Sequence, residues 1–134
     1  MTDFNHKALN LKKNKPLVYT AMSKHLFYYR MHISKYVIEQ YKVPLNPFMI
    51  FEYFMLDSVD RDLIREANNN LVIRSDELWV FGAVSNGVLA EIKIAKEMNK
   101  IIKYFKIEKP HNIISILRKD VKLEDDVKNF RSEL

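Results

Sequence analysis

The chain has 134 residues, of which 48% are hydrophobic and 29% charged, with a net charge of +5 and no cysteine. That length holds one domain-sized core, the composition excludes a disordered or fibrous chain, and the lack of cysteine excludes disulfides, thiolate nucleophiles and Cys-based metal sites. Only two glycines are present, Gly82 and Gly87, against a usual level of about 7%, so neither a Gly-rich Walker loop nor a G-x-G-x-x-G fingerprint can be built.

Residues 1–15 read as a flexible basic tail, with Lys7, Lys12, Lys13 and Lys15 set against Asp3. This accounts for +3 of the excess charge and leaves residues 17–134 near balance at +2. No basic stripe interleaved with aromatics accompanies the tail, so nucleic acid is not an expected partner. The tail lacks the apolar core of a signal peptide and no apolar run is long enough to cross a bilayer, which gives the expectation of a cytoplasmic protein without a membrane partner. His6, His25, His32 and His111 show no metal-ligand spacing, so neither a metal nor another cofactor is expected.

Residues 16–134 read as a single domain. Residues 17–21 are short, β-branched and aromatic and predict a buried first strand. Over residues 27–41, Tyr29, Ile33, Tyr36, Val37 and Gln40 fall on one helical face, with Arg30, Lys35 and Glu39 opposite. Pro44 and Pro47 bracket Leu45 and Asn46, and the aromatic stretch 48–56 fits strand or helix; it is read as a short strand and then a helix. Asp60 or Ser58 caps a helix through Asp62, Leu63, Ile64, Ala67 and Leu71. Residues 76–81 predict a strand covered on both faces that exits at Gly82. A helix from about Val88 to Asn99, a strand over 101–105 and a helical region after Pro110 complete the chain. Strands alternating with amphipathic helices predict an α/β fold with a parallel sheet flanked by helices.

Ligands of such sheets bind beyond the carboxyl ends of the strands, which here means residues 22–25, 46–48 and 82–87. Ser85 and Asn86 are both good helix caps, and the amides of the turn that follows suit a phosphate. Gly87 would let a ligand approach the backbone; alternatively, the two glycines only shape a tight turn. On the helix, Val88, Ile92, Ala95 and Met98 form the inward stripe, and Glu91 lies three residues after Val88 and four before Ala95, so it points to the covered side. A carboxylate there either answers the helix dipole and a neighbouring strand, or serves as nucleophile or charge stabiliser in glycosidic cleavage. Phe48, Phe51, Tyr53, Phe54 and Trp79 could stack a base or fill the core.

The stretch from Ser75 through Asp76 and Trp79 to Gly82, followed by Ser85, Asn86, Gly87, Glu91 and Ala95, resembles the nucleoside 2-deoxyribosyltransferase-like superfamily. The shared pattern is an Asp-started apolar strand, a glycine four before a glutamate and an alanine four after it. Residues 18–21 resemble its tyrosine-bearing opening strand, and Asn46-Pro47 resembles a step after its second strand. The resemblance spans about residues 17–107 and implies a Rossmann-like (flavodoxin-like) sheet and cleavage of the N-glycosidic bond of a nucleoside or nucleotide. Glu91 would be the nucleophile and Tyr19 its hydrogen-bonding support, although Tyr19 reads equally as a core strand residue. The implied substrate-binding set is Ser23, Ser85, Asn86, Gly87 and Asp76, with Ser115 reaching a site only in a neighbouring subunit of a homodimer. Three positions depart from the family pattern: Asn68 stands where an aspartate is common, and Lys93 and Met22 where glycines are. Asn68 cannot act as general acid or base, so a non-catalytic nucleotide-binding sensor or regulatory module on the same fold is the alternative.

Overall fold

The structure is a computed structural model that describes residues 3–51, 58–109 and 112–134. Five strands form one sheet: β1 (Leu17–Met22), β2 (Val43–Leu45), β3 (Glu77–Phe81), β4 (Ile101–Lys109) and β5 (Asn112–Ile116), in the order β2-β1-β3-β4-β5. The first four run parallel and β5 returns antiparallel to β4. Helices α1 (Arg30–Glu39), α2 (Pro47–Ile50), α3 (Arg61–Arg74) and α4 (Asn86–Glu97) connect them. This is an α/β, Rossmann-like architecture with the strand order of flavodoxin-like sheets.

Strand alternation sorts the core into two layers. Tyr19 and Ala21 of β1, Leu78 and Val80 of β3 and Tyr104 of β4 meet Val72 of α3 and Val88, Ile92 and Ala95 of α4. Val18, Met22, Trp79, Phe81 and Phe105 face the other way and meet Ile33 and Val37 of α1. The strands are therefore apolar on both sides, which is why β3 reads as an unbroken apolar run. The chain leaves β1 outward to β2 and then crosses back to β3, so the order reverses between β1 and β3. At that reversal the connections diverge to opposite faces and leave a crevice beyond the carboxyl ends of the strands.

Local chemistry sets the boundaries. Ser23 ends β1, and its Oγ accepts from the backbone N–H of His25 at 3.3 Å to start a 3₁₀ helix, Lys24–Tyr29; the helix expected over 27–41 thus begins as 3₁₀ and becomes α only at Arg30. The short strand expected within 48–56 lies earlier, at Val43–Leu45. Pro44 is tolerated there because β2 is an edge strand. Phe48 instead enters a helical turn, since Asn46 Oδ1 accepts from its N–H at 3.0 Å and Pro47 occupies the first turn. Residues 52–57, on which the rest of that expectation falls, lie outside the described residues.

The region after Pro110 opens with β5 rather than a helix. Asn112-Ile-Ile-Ser-Ile is β-branched, and pairing it against β4 covers an edge that would otherwise stay open. Two short 3₁₀ segments follow, Arg118–Asp120 and Asp125–Glu133. Between them the chain clasps the exit of β3: Val84 N–H donates to Lys122 O and Glu124 N–H to Val84 O, both at 2.9 Å. In the basic tail, residues 3–14 are exposed and include a 3₁₀ turn, Lys7–Asn10, capped by His6.

Gly82 takes φ +75° where β3 ends, and a Cβ there would sit 2.6 Å from Leu26 Cδ1. Gly82→Ala therefore lowers stability in urea titrations by about 1–2 kcal/mol, mainly from the left-handed backbone, with Leu26 displaced as well. A variant as stable as the wild type would contradict that geometry.

Candidate functional site

A cleft of about 710 Å³ opens at the carboxyl ends of β1, β2 and β3. Met22, Ser23 and His25 line it after β1, Pro47 and Phe48 after β2, and Ser85 to Val88 after β3. Helix α3 contributes Ile64, Arg65 and Asn68; α4 contributes Glu91; the C-terminal segment contributes Glu124 and Asp126.

At its centre is a carboxylate held by the core. Tyr19 is fully buried in β1, and its hydroxyl donates to Glu91 Oε2 across the β1–α4 packing. Glu91 lines the cleft one turn into α4 and is half-buried. Burial pushes its carboxyl from the ordinary 4.5 up to about 7, opposed by the Tyr19 hydrogen bond, which favours the charged form. Burial, and after it the Glu91 charge and hydrogen bond, push Tyr19 well above its ordinary range, so the phenol keeps its proton and stays the donor. The outcome is a carboxyl group divided between both protonation states near neutral pH, in a cavity large enough for a small molecule.

Around it, Ser85 caps α4, its Oγ accepting from Val88 N–H at 3.3 Å. Asn86 and Gly87 form the exposed first turn at the cleft, and a Cβ on Gly87 would meet nothing within 4 Å. Gly87 is therefore not required by the fold, in contrast to Gly82. Asn68 faces the cleft from α3, with its Oδ1 buried and accepting no hydrogen bond among the described residues. Asn46 is a buried brace beneath the cleft, its Nδ2 donating to Arg30 O at 3.4 Å.

The cleft brings together Glu91 (with Tyr19 behind it), Asn68, Ser23, Ser85, Asn86 and Gly87. It does not include Asp76 or Ser115. Asp76 is at the amino end of β3, where its Oδ2 accepts from Leu17 N–H at 2.7 Å and pins β1 to β3 at the far end of the strands. Ser115 is exposed on edge strand β5, paired with Phe105. Of the aromatic set, Phe48 and Phe51 line the cleft, whereas Trp79 is core, its Nε1 donating to Glu77 Oε1 at 3.0 Å. Tyr53 and Phe54 lie outside the described residues.

Sequence reasoning missed Glu124 and Asp126. They sit in an acidic run with no motif spacing, and only the clasp on Val84 brings them to the rim, where Glu124 Oε1 is 4.0 Å from His25 Nε2. Among the described residues no group of three or more His, Asp or Glu could hold a metal ion, and no helix is long and apolar enough to cross a membrane.

A family model described as a domain of unknown function (DUF7768) matches residues 18–105. The match takes in Tyr19, Asn68 and Glu91 and stops short of Glu124 and Asp126. No curated protein matches the chain.

Because the folded chain holds the Glu91 proton more tightly than the unfolded one, this group's contribution to stability is complete below about pH 4.5 and is lost as the pH rises through about 7. In urea titrations the stability of wild type relative to Glu91→Gln accordingly falls between about pH 5 and about pH 8. A pH-independent difference would show that the carboxyl is not desolvated.

Proposed function

We propose that this chain, which belongs to the DUF7768 family, binds a nucleoside or nucleotide in the cleft and cleaves its N-glycosidic bond with Glu91 as nucleophile. The observation that carries the reading is the Tyr19–Glu91 hydrogen bond, which holds a half-buried carboxylate at the cleft beside the β1–β3 reversal. Among the described residues lining the cleft, only Glu124 and Asp126 add further carboxylates.

In this mechanism the Glu91 carboxylate attacks the anomeric carbon and forms a C–O bond. The C–N bond breaks, and its electron pair leaves with the base, which takes a proton from solvent or from a rim acid. Water then attacks the glycosyl ester, releasing the sugar and regenerating the carboxylate; a second base in place of water gives transfer. The Tyr19 hydroxyl fixes the carboxylate and lowers its proton affinity, which keeps a useful fraction ionised at neutral pH. The first turn of α4, with Asn86 and the unobstructed Gly87, suits an anionic group such as a 5'-phosphate. The non-catalytic reading is favoured by one feature: Asn68, the polar side chain that α3 buries against the cleft, has no titrating proton to give a leaving base.

With a panel of nucleosides and 5'-monophosphates, wild type releases free base and Glu91→Gln is slower by on the order of a thousandfold or more. Thermal stabilisation by these compounds with no base released would favour the binding module, and equal rates in the two proteins would remove Glu91 as nucleophile.

The rate profile supplies a separate check. For wild type, kcat/KM increases as the pH passes about 7 and Glu91 loses its proton. In Tyr19→Phe the hydrogen bond that favours the charged form is gone, so the rising limb moves to higher pH. A rate that instead falls through neutrality would assign Glu91 the role of acid.

A further inference from the structure

We propose that the substrate is a dinucleotide joined through pyrophosphate: one nucleoside occupies the cleft beside Glu91, and the base of the other half lies in a second groove on the far flank of α4. This rests on the nucleoside reading of the cleft given above.

The groove, of about 330 Å³, runs between α4 and the C-terminal 3₁₀ segment Asp125–Glu133. Leu89 lines it from the helix, and Val127 and Phe130 line it from the opposite wall. That wall is tethered at both ends, since Glu124 N–H donates to Val84 O at 2.9 Å and Lys96 Nζ to Glu133 O at 3.2 Å. Val127 is buried, whereas the ring of Phe130 is left 50% exposed. A fixed segment thus presents an aromatic surface at the groove.

Asn86 and Ala90 line the groove and the cleft alike. They lie four residues apart on one exposed face of α4 and form the ridge between the two cavities, with Glu91 on one flank and Leu89 and Lys93 on the other. The ridge is low, because Ala90 carries only a methyl and Gly87 adds no side chain. One ligand can therefore cross it and fill both sides. Lys93 is exposed at the groove and makes no ion pair among the described residues, so its ammonium can meet a phosphate of the linker. A nucleobase has an apolar face and a polar edge, which suits a ring and a leucine flanked by Lys93 and Glu133. Stacking tolerates any base, since every base has a π-face. Joining the two halves makes the second contact intramolecular, and the whole then binds more tightly than either part.

The test measures binding by calorimetry in a Glu91→Gln background, so that no base is released. The dinucleotides are NAD⁺ and diadenosine pyrophosphate, and the comparison is with their halves, nicotinamide mononucleotide and adenosine 5'-monophosphate. At least one dinucleotide should bind about tenfold or more tightly than either of its halves. Adding Phe130→Ala should remove most of that gain, and Phe130→Tyr, which keeps the ring, should retain it. Lys93→Ala, at an exposed helical position that alanine favours, should reduce the gain severalfold without disturbing the fold. No gain over the halves, or a gain that survives either alanine variant, overturns this inference, and binding of the halves would then leave the nucleoside reading standing. If neither the dinucleotides nor their halves bind, that reading falls and this inference falls with it.

Discussion

The hydrogen bond between Tyr19 and Glu91 is the contact on which the rest of the site depends. Tyr19 is buried in β1, packed with Ala21, Leu78 and Val80, and a phenylalanine would fill that volume without asking for a polar partner. The hydroxyl does ask, since an unpaired buried polar group costs about 1–3 kcal/mol. Glu91 has the complementary requirement: a carboxylate partly withdrawn from water needs a donor to remain charged. Each group makes the other tolerable, and the bond ties strand β1 to helix α4. The proton affinity of Glu91 is then a contest in which burial raises it and the phenol lowers it, with the balance near neutrality.

The sheet decides which side of the molecule receives this pair. Parallel register places Tyr19 beside Leu78 and Thr20 beside Trp79. Alternation then sends Tyr19 toward α3 and α4, while Trp79 joins Phe81 and Phe105 under α1. That second layer is aromatic and closely packed, with Phe81 and Phe105 stacked at 5.0 Å and Tyr36 edge-on to both. One face of the sheet is thus occupied by ring packing, and the other carries the ionisable chemistry. The crevice at the β1–β3 reversal lies where the second face meets the loops.

The α/β class, the central strands, the last two helices and the inward direction of Glu91 were legible in the sequence, because each is a local periodicity. The reach of Val88, Ile92 and Ala95 to one face fixes where a residue between them points, whereas its partner, Tyr19, follows from the resemblance and from no spacing in the chain. Asp76 falls in the implied substrate set because it opens the strand of the resembling motif, yet it sits at the amino end, where its carboxylate fastens Leu17. No spacing separates an aspartate that joins two strands from one that meets a ligand. The antiparallel return of β5 was missed because its pairing depends on β4 rather than on its own pattern. Glu124 and Asp126 were missed for a similar reason: two backbone hydrogen bonds to Val84, some forty residues away, bring them to the rim.

The two glycines of the β3–α4 loop answer to different constraints. Gly82 is demanded by the fold, through a left-handed φ and the methyl of Leu26 that occupies the place of a Cβ. Gly87 is demanded by nothing around it: its φ is ordinary, and a side chain would point into open space. Alanine would serve the helix better there, by something under about 1 kcal/mol. What glycine leaves instead is bare backbone at the first turn of α4, at the cleft and one turn before Glu91, where Ser85 has already capped the N–H of Val88. On the reading proposed above, the omitted Cβ gives a ligand room against the helix terminus, and the small cost to the helix is the local conflict expected where a residue serves binding rather than folding.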